Sequence, residues 1–357
     1  MKQAKVYKIL TIILVIQWAF IQLLAMYPKL IEAFYTNGLY KIISNLLRIV
    51  FGWIPFSVGD IFYFVLILLI FKNLYNLLKN KKFHFKTFFF KTLGILSVVI
   101  FFFNFNWGLN YLKLPLTSVL NISNSKYSTT ELVDFTKKLI IKTNEIQQHI
   151  TKNDTVIVAN PYPKKELRIM AFDAYKQLAK ENDTFTYNHF SVKSSLFSVP
   201  LTYMGFAGYL NPFTNEAQVN YLIPKNSYPA TVCHEMAHQI GIASESGANF
   251  VGYLATINSK DSYFNYAGYL MALKYCLYEL YNKNPKEYKL LKTSVNKGIL
   301  KDIQQNQTFW KKYQNWSEKY FKSFYNSFLK ANKQKDGIKG YNKVVFLLIN
   351  YYKSHQL

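Results

Sequence analysis

The chain has 357 residues and a formal net charge of +24, with 43 Lys and Arg against 19 Asp and Glu. Most of the basic residues are lysines dispersed among Asn, Ile and Tyr. This dispersal argues against a nucleic-acid-binding protein, because such proteins concentrate Arg and Lys on one surface. The 2 cysteines, Cys233 and Cys276, cannot form a disulfide framework. Cys233 is expected to be a small buried residue.

Three apolar segments predict transmembrane helices at about 9–26, 58–78 and 92–107. Residues 1–111 are therefore predicted to form a membrane region, and the lipid bilayer is its expected partner. A signal peptide is the alternative for the first segment, but its apolar run is long and no small-residue cleavage site follows it. Between the first two spans, Leu39 to Trp53 carries apolar residues at helical spacing, interrupted by Lys41 and Arg48. This pattern predicts an amphipathic helix at the membrane interface.

The basic residues are distributed unevenly between the two sides of the predicted spans. Lys2, Lys5 and Lys8 precede the first span, whereas the first loop has only three widely spaced basic residues. The loop between spans two and three has no acid and six lysines: Lys72, Lys79, Lys81, Lys82, Lys86 and Lys91. Because loops rich in Lys and Arg stay in the cytoplasm, the N-terminus is expected there. Everything after Trp107 is then expected outside the cytoplasm, on the far side of a cell or inner membrane.

Residues 112–357 are predicted to form one soluble domain, mainly α-helical α+β with a small antiparallel sheet. Ser128 and Glu131 have the spacing of a capping box and start a helix that extends toward His149. Further helices are predicted at Leu167–Lys180, Tyr263–Tyr281, Pro285–Gln304, about Thr308–Asn332 and Val344–Tyr352. Thr155–Val158 resembles a short strand, and short β-branched and aromatic runs from about Phe185 to Ile223 predict the sheet.

A zinc-hydrolase signature, HExxH, extends from His234 to His238. On a helix these two histidines lie four residues apart and project from one face, where both imidazoles can bind one metal ion. Glu235 lies beside the open coordination position, where its carboxylate can take a proton from a zinc-bound water. Zn²⁺ is therefore the expected cofactor, and other divalent ions remain an alternative for such ligands.

A catalytic zinc needs a third protein ligand, and Glu245 is the nearest carboxylate downstream of the motif. Pro229 suits the first turn of the motif helix. Gly241 can take the left-handed conformation that ends this helix, so that the chain reverses and returns Glu245 to the metal. Asn249 is expected to hydrogen-bond a ligand histidine without itself binding the metal. The alternative is an ordinary amphipathic helix with two hydrogen-bonded histidines, which leaves Glu235 and Glu245 unexplained.

Four further residues are weaker candidates for the site. Glu216 could line the cleft or be a plain turn carboxylate. Tyr253 and Tyr341 could stabilise an oxyanion, but the chain has 29 tyrosines and a structural role is expected for each of these two. His189 is expected to be solvated or hydrogen-bonded rather than a ligand.

The chain resembles an uncharacterised bacterial family of three-span membrane proteins whose HExxH domain is of the gluzincin-like zinc metallopeptidase type. The resemblance covers nearly the whole chain and rests on Trp53–Asp60, Trp107–Tyr111, Gly208–Ala217 and the block from His234 to Phe250. It implies a zincin-like fold, with His234, His238 and Glu245 as zinc ligands and Glu235 as base. Asn249 stands where gluzincins have an aspartate. The resemblance implies no substrate.

These observations predict a membrane-anchored zinc metallopeptidase that hydrolyses a peptide or protein outside the cytoplasm, with Glu235 as general base. One alternative is a membrane sensor whose zinc-binding domain signals through the spans. Another is a non-catalytic structural zinc protein, for which the sequence offers no obvious fourth ligand. An intramembrane protease is disfavoured because polar residues flank the motif.

Overall fold

The structure, a computed structural model, describes residues 2–79, 84–334, 337 and 343–357. The described chain is mostly helical. Its elements in order are α1 (Lys2–Leu24), α2 (Pro28–Leu30), a π-helix (Ile31–Leu39), α3 (Tyr40–Gly52), α4 (Val58–Lys79), α5 (Phe85–Asn106), a 3₁₀ turn (Gly108–Leu112), α6 (Leu116–Val119), α7 (Thr129–Thr151), α8 (Lys164–Glu181), a 3₁₀ turn (Asp183–Phe185), β1 (Val192–Ser194), α9 (Ser198–Met204), β2 (Gly208–Leu210), β3 (Ala217–Val219), α10 (Tyr228–Gln239), α11 (Glu245–Ile257), α12 (Ser262–Lys283), α13 (Pro285–Lys292), α14 (Lys297–Tyr313), α15 (Glu318–Ala331) and α16 (Lys343–Tyr351).

Three of these helices are long and apolar enough to cross a membrane, over Ala4–Leu24, Val58–Asn76 and Phe85–Asn106. They match the three predicted spans, except that the third begins at Phe85 rather than near residue 92. The earlier start includes Lys86 and Lys91, whose long side chains can extend from the first turns of a span to the interface. Lys81 and Lys82, which entered the orientation argument, lie outside the described residues.

Helices α1 and α5 pack side by side and run parallel. Gly94 in α5 lies against Tyr7 in α1, and Gln17 donates a 3.1 Å hydrogen bond to the Ser97 hydroxyl one turn further along. Both helices therefore end on the same side. The beginning of α4 also contacts the predicted soluble domain, because the backbone N–H groups of Val58 and Gly59 donate to the Glu216 carboxylate. The domain thus lies on the opposite side of the three helices from the N-terminus.

Residues 28–52 form a continuous helical segment that packs on the soluble domain. Thr36, Tyr40, Ser44 and Arg48 recur at four-residue spacing, and all four are buried. The opposite side is apolar and exposed. This arrangement confirms the helix predicted over Leu39–Trp53. The face with Tyr40 and Arg48 contacts the domain, and the apolar face on the opposite side is exposed.

The soluble domain is built around α10, α11 and α12, which pack together with α7, α8 and α16. Most of its buried apolar side chains form one hydrophobic cluster, whereas Leu112, Ala243 and Leu329 belong to a second cluster with residues of the membrane region. The capping box predicted at the start of α7 is confirmed, because Glu131 N donates to Ser128 Oγ and Ser128 N donates to Glu131 Oε2. The helices predicted near residues 167–180, 263–281 and 344–352 are confirmed as α8, α12 and α16.

The small sheet is mixed rather than antiparallel as predicted. Its strand order is β1-β3-β2, with β1 parallel to β3 and β2 antiparallel to it. A short connection joins β2 to β3, as in a hairpin, whereas α9 separates β1 from β2. Because β1 is joined by this crossover, it can pair with the far side of β3 in the parallel direction.

Two other predictions about secondary structure are wrong. Thr155–Val158 is not a strand, because side chains bind its backbone instead: Gln147 Nε2 donates to Val156 O at 2.8 Å, and Val158 N donates to Asp302 Oδ2 at 3.1 Å. The C-terminal helices are divided differently, as α13, α14 and α15, with breaks at residues 293–296 and 314–317.

Candidate metal centre

The HExxH motif lies on α10, which has Pro229 in its first turn and packs closely against α11. Gly241 follows the helix with a φ of 88°, the left-handed conformation that the sequence predicted for it. A second glycine, Gly252 in α11, allows the close packing, since a Cβ there would lie 2.9 Å from His234 N. The turn and the close approach together bring the first residue of α11, Glu245, beside the histidines.

Three ligand atoms converge between these two helices. His234 Nε2 and His238 Nε2 are 3.1 Å apart. Glu245 Oε2 lies 3.3 Å from His234 Nε2 and 3.7 Å from His238 Nε2. Together the three predicted ligands form a nearly regular triangle of two imidazole nitrogens and one carboxylate oxygen.

Each histidine is oriented by a hydrogen bond on its other ring nitrogen. His234 Nδ1 lies 2.9 Å from Asn249 Oδ1, and His238 Nδ1 lies 2.7 Å from the carbonyl oxygen of Ile242. Both partners are acceptors, so each Nδ1 donates its proton and each Nε2 faces the centre of the triangle. Asn249 Nδ2 donates in turn to the Tyr275 hydroxyl at 3.1 Å. Asn249 therefore makes the contact predicted for it.

Glu245 accepts a 2.6 Å hydrogen bond from the Tyr325 hydroxyl through its other carboxylate oxygen, Oε1. Burial alone would raise the pKa of Glu245, but the two histidines outweigh burial and hold that pKa well below its usual range. The carboxylate is thus anionic, as a metal ligand must be. Sequence reasoning missed Tyr325, which lies on α15. Only its position on the buried side of that amphipathic helix distinguished it from the other tyrosines.

Glu235 is 4% exposed and lies on the same side of α10 as the histidines. Ligand atoms of His234, Glu235 and His238 lie within 4.8 Å of one another. No protein group hydrogen-bonds Glu235 Oε2 among the residues that the structure describes. Burial raises the pKa of Glu235, and the two histidines offset only part of that rise. Glu235 therefore holds a proton more readily than an exposed carboxylate does.

A glycine in strand β2 makes room for this carboxylate. A Cβ at Gly208 would lie 2.6 Å from Glu235 Oε1, so a larger residue there would displace Glu235. Strand β2 is at the edge of the three-stranded sheet. The centre thus has an edge strand directly beside the predicted base.

Residues from the membrane region support the end of α10. The indole Nε1 of Trp107, one residue beyond the third candidate span, donates to the carbonyl oxygen of His238 at 3.0 Å. The Tyr40 hydroxyl donates to the carbonyl oxygen of Gln239 at 2.9 Å. These two contacts satisfy C-terminal carbonyl groups of the motif helix, which have no partner within the helix.

The weaker candidates lie away from the triangle or have other partners. Glu216 accepts hydrogen bonds from Val58 N at 3.2 Å and Gly59 N at 2.5 Å, and so caps the start of α4 rather than lining the cleft. The buried Tyr253 hydroxyl pairs with that of Tyr352 at 2.7 Å, which is a structural contact. His189 is exposed and Cys233 is buried, as predicted. Tyr341 lies outside the described residues.

No curated protein and no solved structure matches this chain. One family does match over residues 35–349, which include the helical segment 28–52 from Tyr35 onward, α4, α5 and the triangle. The chain therefore belongs to the family described as "Protein of unknown function (DUF3810)".

Proposed function

We propose that this protein is a membrane-anchored zinc metallopeptidase that acts outside the cytoplasm. The triangle of donor atoms carries the proposal. A tetrahedral zinc with ligands about 2.0–2.1 Å away needs donor atoms about 3.3 Å from one another. The separations of His234 Nε2, His238 Nε2 and Glu245 Oε2 are 3.1, 3.3 and 3.7 Å. Two imidazoles and one carboxylate with a remaining fourth position are also the donor set of catalytic zinc sites.

Zinc, when bound, acidifies a coordinated water and polarises the substrate carbonyl. The contribution of the chain is to hold the ligands and to move a proton. Glu235 Oε2, which has no protein partner among the described residues, accepts the proton and returns it to the leaving amine. Its raised pKa makes the first transfer easier than it would be to an ordinary carboxylate.

The edge strand β2 supports a polypeptide as substrate. Gly208 lies against Glu235, and β2 is hydrogen-bonded to β3 on one side only. An extended peptide can pair with the free side of such a strand, which aligns its backbone without regard to side chains. The scissile bond would then lie beside Glu235.

A structural zinc site is the second candidate, because Glu235 is near enough to the histidines to act as a fourth ligand. The two functions predict opposite behaviour of one variant. In a peptidase, Glu235→Gln retains zinc and loses turnover. In a closed structural site the same substitution removes a ligand and releases the metal.

The experiment uses full-length protein, purified in detergent and loaded with zinc, and a peptide library analysed by mass spectrometry. We expect cleavage by the wild type and a loss of about 10³-fold in Glu235→Gln at unchanged zinc content. A zinc-loaded wild type that cleaves no peptide, whether free or anchored in a bilayer, or a Glu235→Gln variant that is fully active, would contradict the proposal.

A further inference from the structure

The metal centre lies between the ends of two candidate membrane spans. On one side, Trp107 at the end of α5 is bonded to the backbone of His238. On the other, Gly208 touches Glu235, and the hydroxyl of the next residue, Tyr209, donates to Asp60 at the start of α4. Each connection between the centre and a span is made by one side chain, that of Trp107 or that of Tyr209. The centre is therefore at the level where these helices leave the membrane.

In the part of the chain that the structure describes, helix α4 differs from the other two spans because it does not pack along another helix. Whereas α1 and α5 pack along their length, the consecutive residues 67–70 of α4 point in different directions and are each 43–64% exposed. One face of α4 continues the contact with the sheet. Gly59 lies against Asn211, Tyr63 stacks on Tyr209 at 6.1 Å, and Ile70 follows two turns below on the same face. This face of α4 thus forms an apolar surface that extends from β2 into the membrane, and no other helix among the described residues packs along it.

Helix α15 contacts both the metal centre and the third candidate span. Its Tyr325 donates to Glu245, and its Phe328 contacts Phe103 in α5 with ring centroids 5.9 Å apart. Three aromatic residues at or just before α15 are largely exposed on another side: Trp316 (79%), Tyr320 (59%) and Phe324 (75%). Trp, Tyr and Phe in such a strip favour the interfacial region of a bilayer.

We propose, on the basis of the peptidase function above, that the substrate is a polypeptide anchored in the same bilayer by an apolar helix. That helix packs on the face of α4 that carries Tyr63 and Ile70. The extended segment just outside the membrane then pairs with β2 and presents its peptide bond to Glu235. The continuity of the α4 face with β2 and the metal centre favours this occupant over lipid alone.

Anchoring in one bilayer also raises how often a substrate meets this enclosed centre. Glu235, His238 and Glu245 are each 4–6% exposed, so a peptide in solution has little direct access. A substrate held in the membrane is confined near the centre, and its effective concentration is raised without any new contact. Its anchor also fixes which bond reaches the metal.

The test compares two peptide libraries with zinc-loaded full-length protein in lipid vesicles. One library is fused to an apolar transmembrane helix and inserted in the same vesicles, and the other has the same sequences without the helix. We expect the anchored library to be cleaved about tenfold faster or more. Equal cleavage would overturn this inference and leave the peptidase proposal intact. Cleavage of neither library would overturn both.

A crosslinking measurement tests the α4 surface without relying on turnover. A photoreactive residue replaces Ile70, or as a matched control Val15 of α1, in the Glu235→Gln background; the two positions are 64% and 63% exposed. We expect the anchored library to crosslink to position 70 several times more than to position 15. Equal crosslinking at both positions, as for a helix diffusing freely in lipid, would overturn the assignment of the α4 face.

Discussion

Two of the buried clusters in the soluble domain that centre on a carboxylate have partners that differ in kind. Asp302 is surrounded by donors: Val158 N and the Tyr266 hydroxyl bind Oδ2 at 3.1 and 2.6 Å, and Asn226 Nδ2 binds Oδ1 at 3.1 Å. This carboxylate is satisfied by the protein itself. Buried polar groups with such partners stabilise a fold and need no ligand.

At the metal centre, by contrast, potential metal-binding atoms converge on one another. His234 Nε2, His238 Nε2 and Glu245 Oε2 face a common point, while the ring protons are directed outward to Asn249 and Ile242. A positive charge stabilises such an arrangement, and either a metal ion or a proton on an imidazole can supply it. Burial lowers the pKa of His238, but Glu245 outweighs burial and raises that pKa to about 9. The comparison teaches that the kind of partner, more than burial or the number of acids, distinguishes a metal site from a structural cluster.

The largest expected difference between the metal centre and the Asp302 cluster is in the rate of peptide cleavage. Glu235→Gln should lower the cleavage rate about 10³-fold, because the amide cannot accept a proton, while zinc content stays unchanged. Peptide cleavage and metal analysis of the same sample measure both. A variant that loses zinc together with activity would indicate that Glu235 is a ligand.

The opposite pattern is expected at Asp302. Asp302→Asn directs amide hydrogens at groups that are themselves donors, which should lower the free energy of unfolding by about 1–3 kcal/mol. Thermal unfolding in detergent measures the loss, and zinc content should not change. Asp173→Asn is the control, because Asp173 is exposed and pairs with Lys176 on the surface. Zinc loss in Asp302→Asn would contradict its separation from the metal centre.

The hydrogen bond behind His234 should affect metal affinity rather than stability. Asn249→Ala removes the acceptor that orients the imidazole, and we expect zinc to bind about 10–100-fold more weakly. Competition with a chelator of known affinity gives the change. Affinity equal to that of the wild type would mean that Asn249 does not orient His234.

A smaller effect is expected from the hydroxyl that binds Glu245. Tyr325→Phe removes one hydrogen bond to the ligand carboxylate and should weaken zinc binding about tenfold. Tyr320→Phe on the same helix is the matched control, since Tyr320 is exposed and should leave affinity unchanged. Equal affinities in the two variants would show that α15 does not support the metal site.

Much of the site could be predicted because its residues are close in the sequence. His234 to Asn249 lie on two consecutive helices, and helical spacing together with a glycine turn at Gly241 is enough to bring them together. Tyr325 and Trp107 are 80 and 131 residues from their partners Glu245 and His238. No local pattern encodes such contacts, because they depend on how the membrane helices and α15 dock on the domain.

The same reason explains the errors in the fold. The pairing of β1 with β3 depends on the crossover through α9, which a pattern of short β-branched runs does not specify. The segment near Val156 has strand-like residues, but side chains of Gln147 and Asp302 bind its backbone. Glu216 has the residue type and position of a cleft acid, yet the start of α4 uses it as a cap.

The most direct measurement is the zinc content of the purified full-length chain, in the wild type and in variants at Glu245, His238 and Glu216. The full chain is needed because Tyr40 and Trp107 bind the backbone of the motif helix. We predict about one zinc per chain, lost in Glu245→Ala and His238→Ala and retained in Glu216→Gln. A wild type without zinc, or full zinc content in Glu245→Ala, would contradict the proposed three-ligand centre.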